Sequence, residues 1–230
     1  MLRLMEPLCL LALAVVAVLQ PDGRPPNVLP PVASTQLATS LKDAGPLSKH
    51  VWRDTPAFNA DGTVNGYIEI ARGDRRKWEF NMRHNARAID RVMPRSLGGY
   101  PVNYGFVPQT ISYDGDPFDI LVLGPSIAGG TIVRGTIVGL MHMTDEKGLD
   151  SKVVVSPLTR DRRPAYALTA QDRERIGDFF KRYKLDEPGK FSDVPGWDSV
   201  ALGRAYVETT HAFFRECRDR SNAECTLARR

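Results

Sequence analysis

The sequence predicts an α+β fold: a mainly β body, arranged as an antiparallel sheet or small barrel, with two helices packed on its outside. Three observations carry this. From Asn65 to Val155 the apolar residues come in short period-two stretches separated by Gly and Asp turns. After Pro164 the period changes to the i, i+3, i+4 spacing of an amphipathic helix. The composition is globular, with 230 residues, 42% hydrophobic, 25% charged, 19 Gly and 17 Pro. That excludes a collagen-like, coiled-coil or wholly disordered chain.

Taken in order, Met1 to Gln20 reads MLRLMEPLCLLALAVVAVLQ. Its twelve-residue apolar run, Leu8 to Leu19, would make roughly 18 Å of helix against roughly 30 Å of hydrocarbon. That is too short to span a bilayer and suits a signal-peptide core. Arg3 supplies a small positive start, cancelled by Glu6, while Ala14 and Ala17 offer cleavage sites without a clean A-x-A. Residues 1–20 are therefore read as a signal peptide, with export to the periplasm or outside the cell and no stable membrane anchor after processing. The rival readings are an uncleaved anchor, or a false start codon ahead of a cytoplasmic chain. Residues 21–50, opening with PDGRPPNVLPPVAST, are expected to be a Pro-rich extended tether. Folded sequence is expected over 51–217, with a basic tail at 218–230.

Within the body, Tyr67-Ile68-Glu69-Ile70 alternates as a half-buried strand does. Lys77-Trp78-Glu79-Phe80 repeats the alternation, placing Lys77 and Glu79 on one face and Trp78 and Phe80 on the other. Apolar runs at Ile120–Leu123, Ile132–Met141 and Val153–Val155 predict further strands. Turns fall at Gly98-Gly99, Asp114-Gly115, Gly129-Gly130 and Lys147-Gly148. Thr169 is placed to cap a helix, with Asp172 completing a capping box. Ile176, Phe179, Phe180 and Tyr183 form its apolar face, and Pro188-Gly189 is expected to stop it. A second helix is expected after Trp197-Asp198, with Leu202, Tyr206, Phe213 and Cys217 on one face. Without Cys9 of the leader, Cys217 and Cys225 remain, eight residues apart. In an oxidising compartment they would close a short disulfide loop; otherwise they are two unrelated thiols.

Function is read from the charged residues. Thirty-one Lys and Arg against 27 Asp and Glu give a net charge of +4, too mild to argue for nucleic acid, and no such partner is expected. The densest signal is Asp114-Gly115-Asp116-Pro117-Phe118-Asp119. Three carboxylates held in a Gly/Pro turn repel one another and are stabilised by divalent cations. Oxygen-only ligation favours Mg²⁺, or alternatively Mn²⁺, over zinc. A solvated acidic turn is the bland rival. It weakens because Asp145-Glu146-Lys147-Gly148-Leu149-Asp150 makes a second acidic turn feeding a strand. Interleaved with these acids are Lys77, Arg91, Lys152 and Lys184, and Tyr100, Tyr104 and Tyr183. Acids that bind metals beside cations and phenols that bind phosphate oxygens are what phosphoryl transfer requires. His50, His84, His142 and His211 match no ligand pattern and are read as structural or solvated.

The run YPVNYGFVPQTISYDGDPFDILVLG resembles the signature region of the family I soluble inorganic pyrophosphatases. Six more blocks agree in order: IEI (68–70), KWEF (77–80), IDRVM (89–93), MTDEKGLDSK (143–152), FFKRYK (179–184) and GW (196–197). The resemblance, to the shorter bacterial-type members, implies a closed β-barrel of the OB type with two flanking C-terminal helices, and Mg²⁺-dependent hydrolysis of pyrophosphate with several ions per site. It implies Asp116 as general base. It assigns Asp114, Asp119, Asp145, Asp150, Glu69 and Glu79 to metals and Lys77, Arg91, Tyr104, Tyr183 and Lys184 to substrate, with Tyr100, Glu146 and Lys152 in support. By analogy with the shorter members, which form hexamers, a homo-oligomer is expected. The stretch Arg91–Tyr100 is one residue longer than the pattern. The competing readings are a catalytically silent, exported module that binds polyanions or metal, and an enzyme acting on polyphosphate or nucleotide pyrophosphates.

Overall fold

The computed structural model describes residues 49–82 and 84–218. The expected leader, the tether up to residue 48 and the tail from 219, Cys225 included, lie outside the described residues. Along these residues the chain forms α1 (Val51–Asp54), β1 (Val64–Ile70), β2 (Arg76–Asn81), β3 (Ala86–Val92) and a 3-10 turn (Arg95–Leu97). There follow β4 (Asn103–Phe106), β5 (Asp119–Val122), β6 (Ile132–Asp145), β7 (Gly148–Leu149), β8 (Lys152–Pro157), α2 (Ala170–Arg182), β9 (Ser192–Asp198) and α3 (Val200–Cys217).

Five of the strands pair in the order β1, β4, β5, β8, β6, and the first half of β6 returns to β1, giving a ring-like arrangement. The 14-residue length of β6 makes this closure workable. Its first half joins β1, while its second half carries β9 on the edge that β1 no longer occupies and β7 on the opposite edge, beyond β8. The fold is sheet-dominated α+β, as the sequence predicts, with one pairing of the other sense: β5 and β8 run parallel. Where β1 meets β4 the ladder slips between Ile68 and Ile70. A Cβ on Gly105 would sit 1.8 Å from the Tyr67 carbonyl oxygen, so glycine is required there.

Both faces of the ring strands are buried, which follows from the period of two. Ile120, Val122, Val153 and Val155 pack with Ile68, Leu140 and, from α3, Val207. Their neighbours Leu121, Leu123 and Val154 pack with Phe179 and Phe180 of α2. β1 differs from expectation, for all seven of its residues are buried rather than alternate ones. The cause is the two-stranded β2–β3 ribbon, whose Phe80 ring lies 5.1 Å from Tyr67 and covers the second face.

Three further elements depart from the periodicity. Tyr183 already ends α2, five residues before Pro188, because successive turns there bring Lys184 inward. The capping box of Thr169 and Asp172 forms as read. On α3 the buried stripe is Gly203, Val207, Thr210, Phe214 and Cys217, with Leu202, Tyr206 and Phe213 partly buried at its sides. Gly203 sets that orientation: a Cβ there would lie 3.0 Å from the Gly139 carbonyl of β6. β9 is not predicted by periodicity, since Pro195 and Gly196 interrupt it; it is held as a strand by pairing with β6. Cys217 is disulfide-bonded, and the Cys217–Cys225 pairing expected from spacing has its second member outside the described residues.

Candidate active site

The acidic turn is built by its own backbone. Gly115 takes φ 92°, which only glycine adopts without strain. Asp116 N–H donates to Asp114 Oδ1 (3.1 Å), and Ser112 N–H donates to the Asp116 carbonyl (2.6 Å). Thr110 Oγ1 accepts from Phe118 N–H (2.9 Å), which fixes where β5 begins and hence where Asp119 points. On the neighbouring parallel strand, Lys152 is 1% exposed, and its ammonium donates to Asp119 Oδ2 (2.5 Å) and Asp150 Oδ1 (2.8 Å). That ammonium also lies 5.7 Å from the Tyr104 ring centre and 5.6 Å from that of Phe180.

The other residues close around this pair. The end of β6 supplies Asp145 and the turn after it Glu146; both carboxylates accept from buried Lys184 Nζ, at 2.6 and 3.0 Å. Lys147, in the same turn, sits 3.8 Å from Asp116. From β1, buried Glu69 accepts from Phe80 N–H (2.6 Å), and its own carbonyl accepts from Arg87. The ribbon brings Lys77, bonded to Glu79 (2.6 Å) and Asp90 (3.0 Å). It also brings Arg91, which donates to the Tyr183 carbonyl (2.6 Å) and pairs with Asp186 (3.0 Å) and Glu187 (2.7 Å). Arg91 Nε is buried and has no hydrogen-bond acceptor. Tyr100 lies in the core, its ring 5.6 Å from Tyr104 and 4.8 Å from Phe179.

Crowding of like charge shows in the proton affinities. Burial first, then the charge of Asp119, raises Glu69 to about 8. Asp150 rises to about 8 by burial and Asp119, against the pull of Lys152. Asp116 rises to about 7 through partial loss of hydration, then the neighbouring Asp114; with 56% of its side chain exposed, it remains open to solvent on one side. Asp114 is raised by burial as well. Burial lowers the proton affinity of Lys77, Lys147 and Lys152, but adjacent carboxylates more than reverse this, so all three are raised. Tyr100, Tyr104 and Tyr183 are pushed up by burial and then by surrounding charges, so their phenols keep their protons.

All the sequence-predicted residues within the described span thus face one field of charge. They do not form a ready metal cage: among the described residues no three His, Cys, Asp or Glu side chains converge closely enough to hold an ion. The lysines stand among the acids instead, Lys152 between Asp119 and Asp150 and Lys184 between Asp145 and Glu146. The donor set, carboxylate oxygens raised by mutual repulsion, suits a hard divalent cation.

Sequence reasoning passed over Lys147, Asp90, Asp186 and Glu187. Lys147 and Asp90 lie inside the MTDEKGLDSK and IDRVM blocks, where their neighbours could have pointed to them. The two acids that hold Arg91 sit 95 and 96 residues away, beyond any local signal. The histidines are structural where they are buried: His50 Nε2 bonds the Met82 carbonyl (2.7 Å) and His211 Nδ1 that of Gln109 (2.7 Å).

Comparison with known proteins follows the same lines. A family model described as inorganic pyrophosphatase matches residues 66–215. The inorganic pyrophosphatase of Saccharolobus solfataricus is 38% identical over 161 residues, spanning 66% of this chain and 92% of the relative. That of Vibrio cholerae is 39% identical over 152 residues, spanning 63% and 86%. The solved inorganic pyrophosphatase of Coxiella burnetii superposes with a TM-score of 0.65 at 35% identity, over 70% of this chain and 99% of that one.

Proposed function

The chain belongs to the inorganic pyrophosphatase family and hydrolyses pyrophosphate; from that premise we propose that Asp116 is the general base and that Mg²⁺ is the divalent metal the site uses. The observation that carries the reading is the set of four cations interleaved with the acid cluster. Lys77, Arg91, Lys152 and Lys184 are each already paired with carboxylates of this chain. Such a site recognises a compact, multiply charged anion, and the orphan Arg91 Nε–H is one donor left for it.

Asp114, Asp119, Asp145, Asp150, Glu69 and Glu79 are the residues that would hold divalent metal. When bound, the metal supplies charge neutralisation and Lewis acidity. Lys77 and Tyr104 hold the phosphoryl group under attack. Arg91, Tyr183 and Lys184 hold the leaving phosphate. Water forms a bond to one phosphorus as the bridging P–O bond breaks, the electron pair leaving with the second phosphate, while Asp116 takes the water proton. A base raised to about 7 is matched to that task near neutrality. Lys152 bridges Asp119 and Asp150 and offsets their repulsion, and Tyr100 and Glu146 brace Tyr104 and Lys184.

The test is phosphate release from pyrophosphate with and without Mg²⁺, in the native chain and in Asp116→Asn. Release that needs Mg²⁺ and falls about 10²–10⁴-fold in the variant fits a general base. Undiminished release by the variant would move the base elsewhere. The leader-like start and the cysteine usage support export, and the analogy with the shorter members supports a homo-oligomer. Fractionation with cytosol, residues 1–20 retained, or a monomer by light scattering, would count against that part.

A further inference from the structure

The segment just ahead of the family-matched span makes an unusual number of specific bonds to two separate parts of the site. Toward the β2–β3 ribbon, His50 Nε2–H donates to the Met82 carbonyl (2.7 Å), and Val51 N–H donates to Asn85 Oδ1 (2.8 Å). Asn85 Nδ2 returns a bond to the Lys49 carbonyl (3.2 Å). Because Arg53 N–H donates to His50 Nδ1 (3.2 Å), both ring nitrogens of the buried imidazole are used. Toward the acidic turn, Trp52 Nε1–H donates to the Thr110 carbonyl (2.9 Å), and Gln109 N–H donates to the Trp52 carbonyl (2.8 Å). Gln109 Nε2 also bonds the Arg53 carbonyl (2.9 Å). Trp52 itself is 0% exposed, 5.1 Å from the ring of Phe214.

Backbone conformation marks the same two places. Among the described residues three other than glycine have positive φ, and two of them are Asn85 (50°) and Gln109 (52°). Such conformations persist where the surroundings over-determine them, and here the surroundings are residues 49–53. Asn85 sits in the turn of the ribbon that carries Lys77, Glu79 and Arg91. Gln109 precedes Thr110, whose hydroxyl fixes Phe118 and so the start of β5.

We propose that residues 49–53 are a clasp that positions both halves of the site, His50 through Met82 and Val51 through Asn85 for the substrate-holding ribbon and Trp52 through Gln109 and Thr110 for the acidic turn that carries Asp116. The proposal rests on the substrate and base assignments above. It makes His50 and Trp52 positioning residues, which touch neither substrate nor metal, and it predicts that their effects separate. Loosening the ribbon weakens binding; loosening the acidic turn slows the chemistry.

The test uses the full chain, with kcat and KM for pyrophosphate at saturating Mg²⁺ corrected for folded fraction by circular dichroism. His50→Ala is expected to raise KM about fivefold, the factor one lost buried hydrogen bond is worth. Asn85→Gly removes the other two ribbon bonds, from Val51 N–H and to the Lys49 carbonyl, while keeping the positive φ, and reads the proposal should His50→Ala not fold. Trp52→Phe keeps most of the ring but loses Nε1–H, and lowers kcat about fivefold with KM unchanged. Val207→Ala, buried on α3 away from the clasp, lowers the melting temperature and leaves both constants at native values. The proposal is overturned if the clasp variants lose stability like Val207→Ala yet keep native kcat and KM. Lys77→Ala is the check on the premise: an unchanged KM there removes the substrate assignment, and the clasp proposal with it.

Discussion

Lys152→Met puts the electrostatics of the site to a quantitative test. The native ammonium is the shared counter-ion of Asp119 and Asp150 in a position closed to water. Methionine keeps the length and the contact with Tyr104 and Phe180 while removing the charge. Breaking a buried pair by deleting one partner costs about 3–5 kcal/mol. The carboxylates here are 19% and 22% exposed, so the lower figure, about 3 kcal/mol, applies. For a domain of this size that is a fall in Tm of about 6–12 °C. The loss must also depend on pH. Asp150, raised to about 8, still holds its proton at about pH 6, so removing the ammonium strips no counter-ion from it there. At about pH 9 the native Asp150 has given up its proton beside Lys152, whereas without the ammonium that proton is held more tightly or the charge is left unpaired, so the loss is larger. The assay is thermal unfolding in chelator at both pH values, repeated with excess divalent cation, which should restore more Tm to the variant than to the native chain. A loss of under about 2 °C at the higher pH, or an equal loss at both, would refute the reasoning.

Two other outcomes follow from the same geometry. Glu69 and Asp150 have folded values near 8, above their ordinary carboxylate range, so the folded state keeps protons that the unfolded state has released. The penalty is absent below about pH 4 and complete above about pH 8, so Tm in chelator should fall across that window; a Tm that rises there would contradict the crowding of charge. Cys217, disulfide-bonded at the end of α3 beside Trp52 and Phe214, should lose about 2–4 kcal/mol of stability on reduction or in Cys217→Ser. Alkylation mass shifts before and after reductant, paired with melting curves, check it; equal melting curves would mean the bond adds nothing to the native state.

What the sequence revealed of the fold was whatever local periodicity encodes. The Thr169–Asp172 box and the Ile176–Tyr183 face depend on residues within one or two turns, and both appear where the spacing puts them. The face of α3 came out one residue off, because an apolar count cannot see that Gly203 is pressed against Gly139. β9 was invisible for a related reason: its strand character comes from β6, not from Ser192–Asp198 itself. The charged residues behave alike. Asp114, Asp116 and Asp119 stand out because they crowd six positions. The acids that hold Arg91 do not, since contact across nearly a hundred residues leaves no trace in spacing. His50 and Trp52 precede the blocks that carry the resemblance, and only their bonds, His50 to Met82 and Trp52 to Gln109 and Thr110, distinguish them.

The lysine–carboxylate pairs also bear on how such a site stays folded without its ligands. Asp114, Asp116, Asp119, Asp145 and Asp150, close enough to raise one another's proton affinity, would repel strongly if each kept its charge unpaired. The structure meets this in two ways: Lys152, Lys184 and Lys147 lie against the acids, and protons are held on Asp116 and Asp150 to values near 7 and 8. Either counter-charge can be exchanged. A divalent cation displaces a proton or an ammonium from a carboxylate, and an ammonium so released is free for a phosphate oxygen. The two exchanges would be linked, because a cation held by the acids would leave a lysine for the anion and an anion held by the lysines would leave an acid for the cation. Metal and substrate should therefore bind each other's enzyme complex more tightly than the free enzyme, and by the same factor in both directions.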